Sequence, residues 1–361
     1  MTSQDMTNRD LAGQELQPEQ APSTPLEGFA PVSEGSASRS AAKRTWRNSR
    51  WWISMAVALF LILPIALNNY QVHILDLVVL YMILAIGLDL TMGYCGQMNL
   101  AHAAFYAVGA YTSAILTTRF HFTFWEALPI SIVFSTACGI LIGLPSLKVR
   151  SHYLAIATLG LAIAINDMLV NLNGLTGGPT GITGIPKPHV FGVALDSEYL
   201  YYYLVLTFTV LLFLLAKIIT THSIGRSFRA VREDHIASQA LGINIAKQQI
   251  LAFALSGMYA GVAGVLYAHM LSYVSPDTFQ MNEMFFMLTI VVIGGMGNIY
   301  GSIAGAVILI VAREWLNQFQ NWQQVVYGAL IVALVVFLPG GLVSIKTLFQ
   351  HRKRSQLYRV K

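Results

Sequence analysis

The sequence predicts an all-α integral membrane protein of about 8–10 transmembrane helices, with Gly-broken or re-entrant segments and an inverted repeat. Three observations carry this. Of 361 residues, 55% are hydrophobic and only 11% charged, whereas soluble domains carry about a quarter charged residues. The apolar residues run in blocks of about twenty, the length a helix needs to cross a ~30 Å hydrocarbon core. Two of these blocks are interrupted by glycine-rich polar stretches, one in each half of the chain.

The N-terminal region lacks the apolar surface needed to offset ordering entropy. Residues 1–46 are expected to form a disordered cytoplasmic tail, and the cluster Lys43, Arg44, Arg47 and Arg50 precedes the first apolar run. The apolar run at 51–67 is longer than a signal-peptide core, and its leader is longer too, so it is read as a retained first span. Further blocks lie at 72–91, 100–118, 124–147, 153–170, 199–219, 248–270, 284–312 and 322–342. The membrane domain is placed at 47–345, and a basic tail follows at 346–361.

The net charge of +5 reflects short loops between spans, not a nucleic-acid face, and reads as topology. With both termini cytoplasmic and 284–312 taken as two segments, only Arg119, Lys187 and Arg313 of the 22 Lys and Arg residues fall outside. Taking 284–312 as one span would export Lys346, Arg352, Lys353 and Arg354. The bias therefore favours a hairpin or re-entrant pair there. The two cysteines, Cys95 and Cys138, offer no disulfide framework or CxxC spacing.

The first interruption is GYCGQMNLAHAAF at 93–105, with Gly93, Gly96, Gln97, Asn99 and His102. The second is GGMGNIYGSIAGA at 294–306, with Gly294, Gly295, Gly297, Asn298 and Gly301. Irregular backbone at membrane depth is tolerated where it is buried in protein or lines a cavity. Paired broken segments in two halves point to a transport pathway, and these ten residues are its lining candidates. Close helix packing through small residues is the alternative, and Gly297, Gly301 and Gly305 have that spacing.

Carboxylates near the spans are Asp76, Asp89, Asp167 and Glu283. The first two and the last are expected at interfaces and Asp167 deeper, since a charge at the bilayer centre is costly. An outer loop, LTGGPTGITGIP at 175–186, carries Gly177, Gly178, Gly181 and Gly184. It is expected to be turn-rich and structured, either contacting a delivered substrate or its carrier, or capping the outer mouth.

The cytoplasmic loop 220–247 contains GRSFRAVREDHIASQALGINIAK. Ser227 as N-cap and Gly242 as stop predict one helix between them. Phe228, Val231, His235, Ile236 and Ala240 form its apolar stripe, with Arg229, Arg232, Glu233 and Asp234 around it. Such a helix suits a groove on a cytosolic partner; a membrane-surface helix is the alternative.

These four motifs, in this order over about 75–345, resemble the branched-chain amino acid ABC importer permeases, most closely the longer permease of the pair. The resemblance implies an EAA-like coupling segment at Glu233, Ala237 and Gly242, matched in a loose form. It implies a second permease subunit, cytosolic ABC ATPases and a periplasmic substrate-binding protein as partners. It implies transport of Leu, Ile or Val across a bacterial inner membrane; urea, amides or other amino acids remain alternatives.

No cofactor is expected, because ATP belongs to the partner: no lysine follows a glycine, so GxxxxGK[ST] is missing. No His precedes Glu, which excludes HExxH, and Ser256 in ALSG lacks the first glycine of GxSG. The chain is therefore read as a transport subunit, not an enzyme. A stand-alone secondary transporter or facilitator is the alternative of a different class.

Overall fold

The computed structural model describes residues 60–147, 151–190, 193–195, 197–316 and Gly328. The expected tail at 1–46, most of the span at 51–67, the span at 322–342 and the basic tail lie outside them.

Helix α1 (Asn69–Asp89) begins at a capping box in which the Asn68 N–H donates to Gln71 Oε1 at 3.1 Å. Such reciprocal caps satisfy N–H groups that a helix start leaves without partners. After α1 the chain continues through α2 (His102–Arg119), α3 (Phe124–Ser146) and α4 (Ser151–Asn171). A long loop leads to α5 (Glu198–Thr221), then to two short helices, α6 (Ser223–Glu233) and α7 (His235–Ala240). Next come α8 (Ile245–Leu271), α9 (Met281–Gly294) and α10 (Ile299–Leu316).

Six helices among the described residues are long and apolar enough to cross a membrane: Asn69–Tyr94, Phe124–Pro145, Tyr153–Asn171, Glu198–Thr221, Ile245–Leu271 and Ile299–Leu316. The 284–312 block is two helices, not one. Gly294 packs on Gly301, Gly305 packs on Ile290, and Arg313 reaches Glu283. Helices α9 and α10 therefore run antiparallel as a hairpin, hinged at residues 295–298.

Helix α8 is the centre of the bundle and packs against α1, α2 and α3. Close approach needs small residues, because lipid tails provide no hydrophobic drive between helices. A Cβ on Gly109 would stand 2.6 Å from the Gly261 Cα, and one on Gly257 would stand 2.5 Å from the Ser135 carbonyl oxygen. The Ser135 hydroxyl lies 2.8 Å from the carbonyl oxygens of both Phe105 and Gly257, tying α3 to α2 and α8. In contrast, Val133, Phe134 and Leu141 of α3, and Tyr153 and Ile156 of α4, are exposed. Apolar side chains in that position suit lipid or another membrane subunit.

The loop after α4 is compact. Ile182–Thr183 pairs antiparallel with Tyr273–Val274, beyond the end of α8. The Pro186 carbonyl lies 2.7 Å from His269 Nδ1, and Arg119 donates to the Gly174 carbonyl. Gly181 comes against the Val274 carbonyl. Gly177, Gly178, Gly181 and Gly184 thus belong to a loop fastened over the ends of α2 and α8.

Candidate gate and coupling site

The first broken segment starts where α1 widens into a π turn at Leu90–Tyr94. Residues 96–101 are then irregular until α2 begins at His102. Freed backbone groups here find partners, as burial demands. The Gln97 N–H donates to the Thr91 carbonyl at 3.0 Å, and that of Leu100 to Thr158 Oγ1 at 3.1 Å. Asn99 and His102 are buried, and Ser256 on α8 is their shared partner. Asn99 Nδ2 donates to the Ser256 hydroxyl at 2.9 Å, and His102 Nδ1 lies 2.7 Å from it. Gln97 is buried as well.

Removing that hydroxyl strands two buried groups, each costing about 1–3 kcal/mol. Ser256→Ala is therefore expected to lower the thermal unfolding temperature of the detergent-purified protein clearly, whereas Ser256→Thr, which keeps the hydroxyl, loses less. Equal melting of Ser256→Ala and the parent would remove this role.

The second broken segment is the α9–α10 hinge. Asn298 caps α10, its Oδ1 accepting from the N–H groups of Tyr300 (3.0 Å) and Gly301 (3.3 Å). Gly297 has φ +84°, a conformation that glycine adopts without strain. Its N–H donates to Asp89 Oδ1 at 2.7 Å, and its backbone lies against that of Gly93. The two broken segments thus meet at one end of the bundle.

Arg232 of α6 joins them. Its guanidinium donates to the Gly93 carbonyl. A Cβ on Gly96 would stand 2.8 Å from Arg232 Cγ, and one on Gly297 would stand 2.7 Å from Arg232 Nη1. Glycine at these positions leaves room for that side chain. Of the candidates in loop 220–247, Arg232 reaches both broken segments; Arg229 instead turns back to the carbonyls of Gly225 and Thr220, both at 3.3 Å.

Several expectations need correction. Asp76 and Asp89 are enclosed by protein, while Asp167, expected deeper, is exposed. Apolar blocks mark depth but not facing, and it is facing that decides burial. The loop 220–247, expected to hold one helix, holds two. The first starts at Ser223, so Ser227 lies inside it. Asp234 breaks the run at φ −154° and caps the second helix, its Oδ1 accepting from the N–H groups of Ile236 (2.7 Å) and Ala237 (3.1 Å). The break divides the anticipated stripe. Phe228 and Val231 are buried, whereas His235, Ile236 and Ala240 are exposed. Gly242 ends the second helix at φ +78°. Glu233, Asp234 and Ala237 are exposed.

The sequence shows Ser256 only as a rejected nucleophile and gives no sign of Thr158, because a hydroxyl inside an apolar helix carries no local mark of its partner.

Helices of this length and composition, packed around α8 with irregular backbone enclosed at one end, define a multi-pass α-helical membrane protein of the permease type. The chain belongs to the family of branched-chain amino acid transport system permease components, whose pattern matches residues 70–335. It is 35% identical over 303 residues to the high-affinity branched-chain amino acid transport system permease protein LivM of Escherichia coli K12. That match covers 77% of this chain and 71% of LivM. LivM of Salmonella typhimurium matches to the same extent. LivH of E. coli K12 is 28% identical over 284 residues, covering 73% of this chain and 91% of LivH. No solved structure matches the chain.

Proposed function

We propose that this chain is a permease subunit of an ATP-driven importer for leucine, isoleucine and valine. In this reading it works beside a second permease, with cytosolic ATPases on one side and a periplasmic binding protein on the other. It lies in a bacterial inner membrane with both termini cytoplasmic. The observation that carries the reading is Arg232. A loop helix bearing this residue contacts both broken segments, so displacement of α6 is felt where they meet.

The docking element is α7. Its Ile236 is 81% exposed and the adjoining Leu241 78% exposed. Two large apolar side chains beside the charges of Glu233 and Asp234 suit a partner groove, with the apolar pair as anchor. In this reading ATP binding and hydrolysis move the docked α7, α6 follows, and Arg232 shifts Gly93 relative to Gly297. Lining of the pathway by Gln97, Asn99 and His102 requires their segment to open from the enclosed arrangement described above.

Affinity purification of the chain from its native membrane in mild detergent, with mass spectrometry, tests the assembly. Recovery of a second permease and a P-loop ATPase is expected. Recovery of the chain alone, under conditions that keep such complexes together, counts against it. Ile236→Asp combined with Leu241→Asp is expected to lower ATPase recovery at least about tenfold, the equivalent of 1.4 kcal/mol, while membrane insertion stays intact. Undiminished recovery places the docking surface elsewhere.

A further inference from the structure

At the end of the bundle opposite Arg232, a cavity of about 500 Å³ opens between α1, α8, α9 and α10. Its wall includes the apolar side chains Leu77 and Ile310 and the polar groups Tyr81, Glu283, Arg313 and Glu314. The size is within the range of small-molecule sites. We infer that this cavity is a reception site for a zwitterionic aliphatic amino acid, with Arg313 taking the carboxylate and Glu283 and Glu314 the ammonium. The inference rests on the importer reading and gives it a substrate-binding position in this chain.

The geometry is that of a held but accessible charge pair. Glu283 is fixed by the Tyr81 hydroxyl, which donates to its Oε1, and its side chain is only 12% exposed. Arg313 Nη1 approaches Glu283 Oε2 at 3.4 Å, and the Arg313 side chain is 45% exposed. Charge-assisted N–H···O bonds close to about 2.7–2.9 Å, so this pair is loose. A guanidinium has five N–H donors in a planar fork that matches a carboxylate. Its carbon also lies 4.7 Å from the centre of the Phe286 ring, a stacking contact that orients the fork. Among the described residues lining the cavity, Arg313 is the one Lys or Arg. Acidic groups beside it and the aliphatic side chains of Leu77 and Ile310 in the same wall supply the other two recognition elements of such an amino acid.

A plainer role for the pair is to staple α9 to α10, and the test separates the two. Binding of radiolabelled L-leucine is measured on the purified permease complex without binding protein, with 4-methylpentanoate and isoamylamine as competitors. Each competitor lacks one of the two charges. The native complex is expected to bind leucine, with each competitor at least about tenfold weaker. Arg313→Gln is expected to lose at least about tenfold in leucine affinity, and the charge-neutral double variant Arg313→Gln, Glu283→Gln to remain as weak. Recovery of native affinity in the double variant would assign the pair to stapling and overturn the proposal. So would unchanged binding in Arg313→Gln, or no leucine binding by the native complex. ATP hydrolysis stimulated by the loaded binding protein is followed in parallel. Its absence would sink the importer reading whatever the binding result, and its presence with unchanged binding in Arg313→Gln sinks the cavity assignment alone.

Discussion

Arg232→Ala is expected to reduce ATP-driven uptake at least about tenfold while leaving the protein inserted, its partners bound and ATP hydrolysis running. The guanidinium donates to the Gly93 carbonyl and packs along Gly96 and Gly297. A hydrogen bond from a charged group is worth about 1.5–3 kcal/mol; Arg232 is itself exposed, which places this one at the lower end, roughly tenfold in an equilibrium between two gate states. Truncation also opens a gap beside three glycines that have no side chains to fill it. The docking surface of α7 is untouched, because Ile236 and Leu241 face away from the bundle. Arg232→Lys should be intermediate, since an ammonium keeps the charge but lacks the planar fork. The measurement is leucine uptake into proteoliposomes alongside phosphate release. Uptake within twofold of the parent would mean that motion reaches the broken segments by another route.

Much of this arrangement was legible in the chain. Block length located the six long apolar helices among the described residues, the last as half of the 284–312 block, whereas the block at 100–118 is a helix that is not among the six. The distribution of Lys and Arg favoured that division, because both signals are local in the sequence. Loop 220–247 was recognisable as a helical element for a similar reason: its charges are local. What the sequence did not reveal was pairing across it. Asp89 is 208 residues from Gly297 and Arg232 is 139 from Gly93, and no periodicity connects such positions. The break at Asp234 was missed because the stripe from Phe228 to Ala240 fits one helix. An aspartate that accepts from the N–H groups two and three residues later competes with the helix it interrupts. Asn298, a pathway-lining candidate, also caps α10, a role that its place just before an apolar run allows.

Single alanine substitutions at three glycines should order themselves by what surrounds them, with Gly93→Ala the most damaging. A Cβ at Gly93 would overlap the Asp89 carboxylate and the Gly297 backbone nitrogen. The second obstacle is main chain and cannot rotate aside, so the end of α1 has to separate from the α9–α10 hinge. Separation breaks the 2.7 Å bond from the Gly297 N–H to Asp89 Oδ1, leaving a fully buried carboxylate without that donor at a cost of about 3 kcal/mol or more. Gly297→Ala meets softer obstacles, the Arg232 guanidinium at 2.7 Å and the Gly93 carbonyl oxygen at 3.0 Å, but carries the left-handed φ penalty of about 1–2 kcal/mol. Gly242→Ala bears that penalty alone, since a Cβ there would meet nothing within 4 Å. Thermal unfolding of the purified variants and uptake in proteoliposomes should both rank Gly93→Ala below Gly297→Ala, and Gly297→Ala below Gly242→Ala. If Gly93→Ala melts and transports like the parent, the two broken segments do not meet as closely as the structure places them. Arg232 would then have no junction to act on.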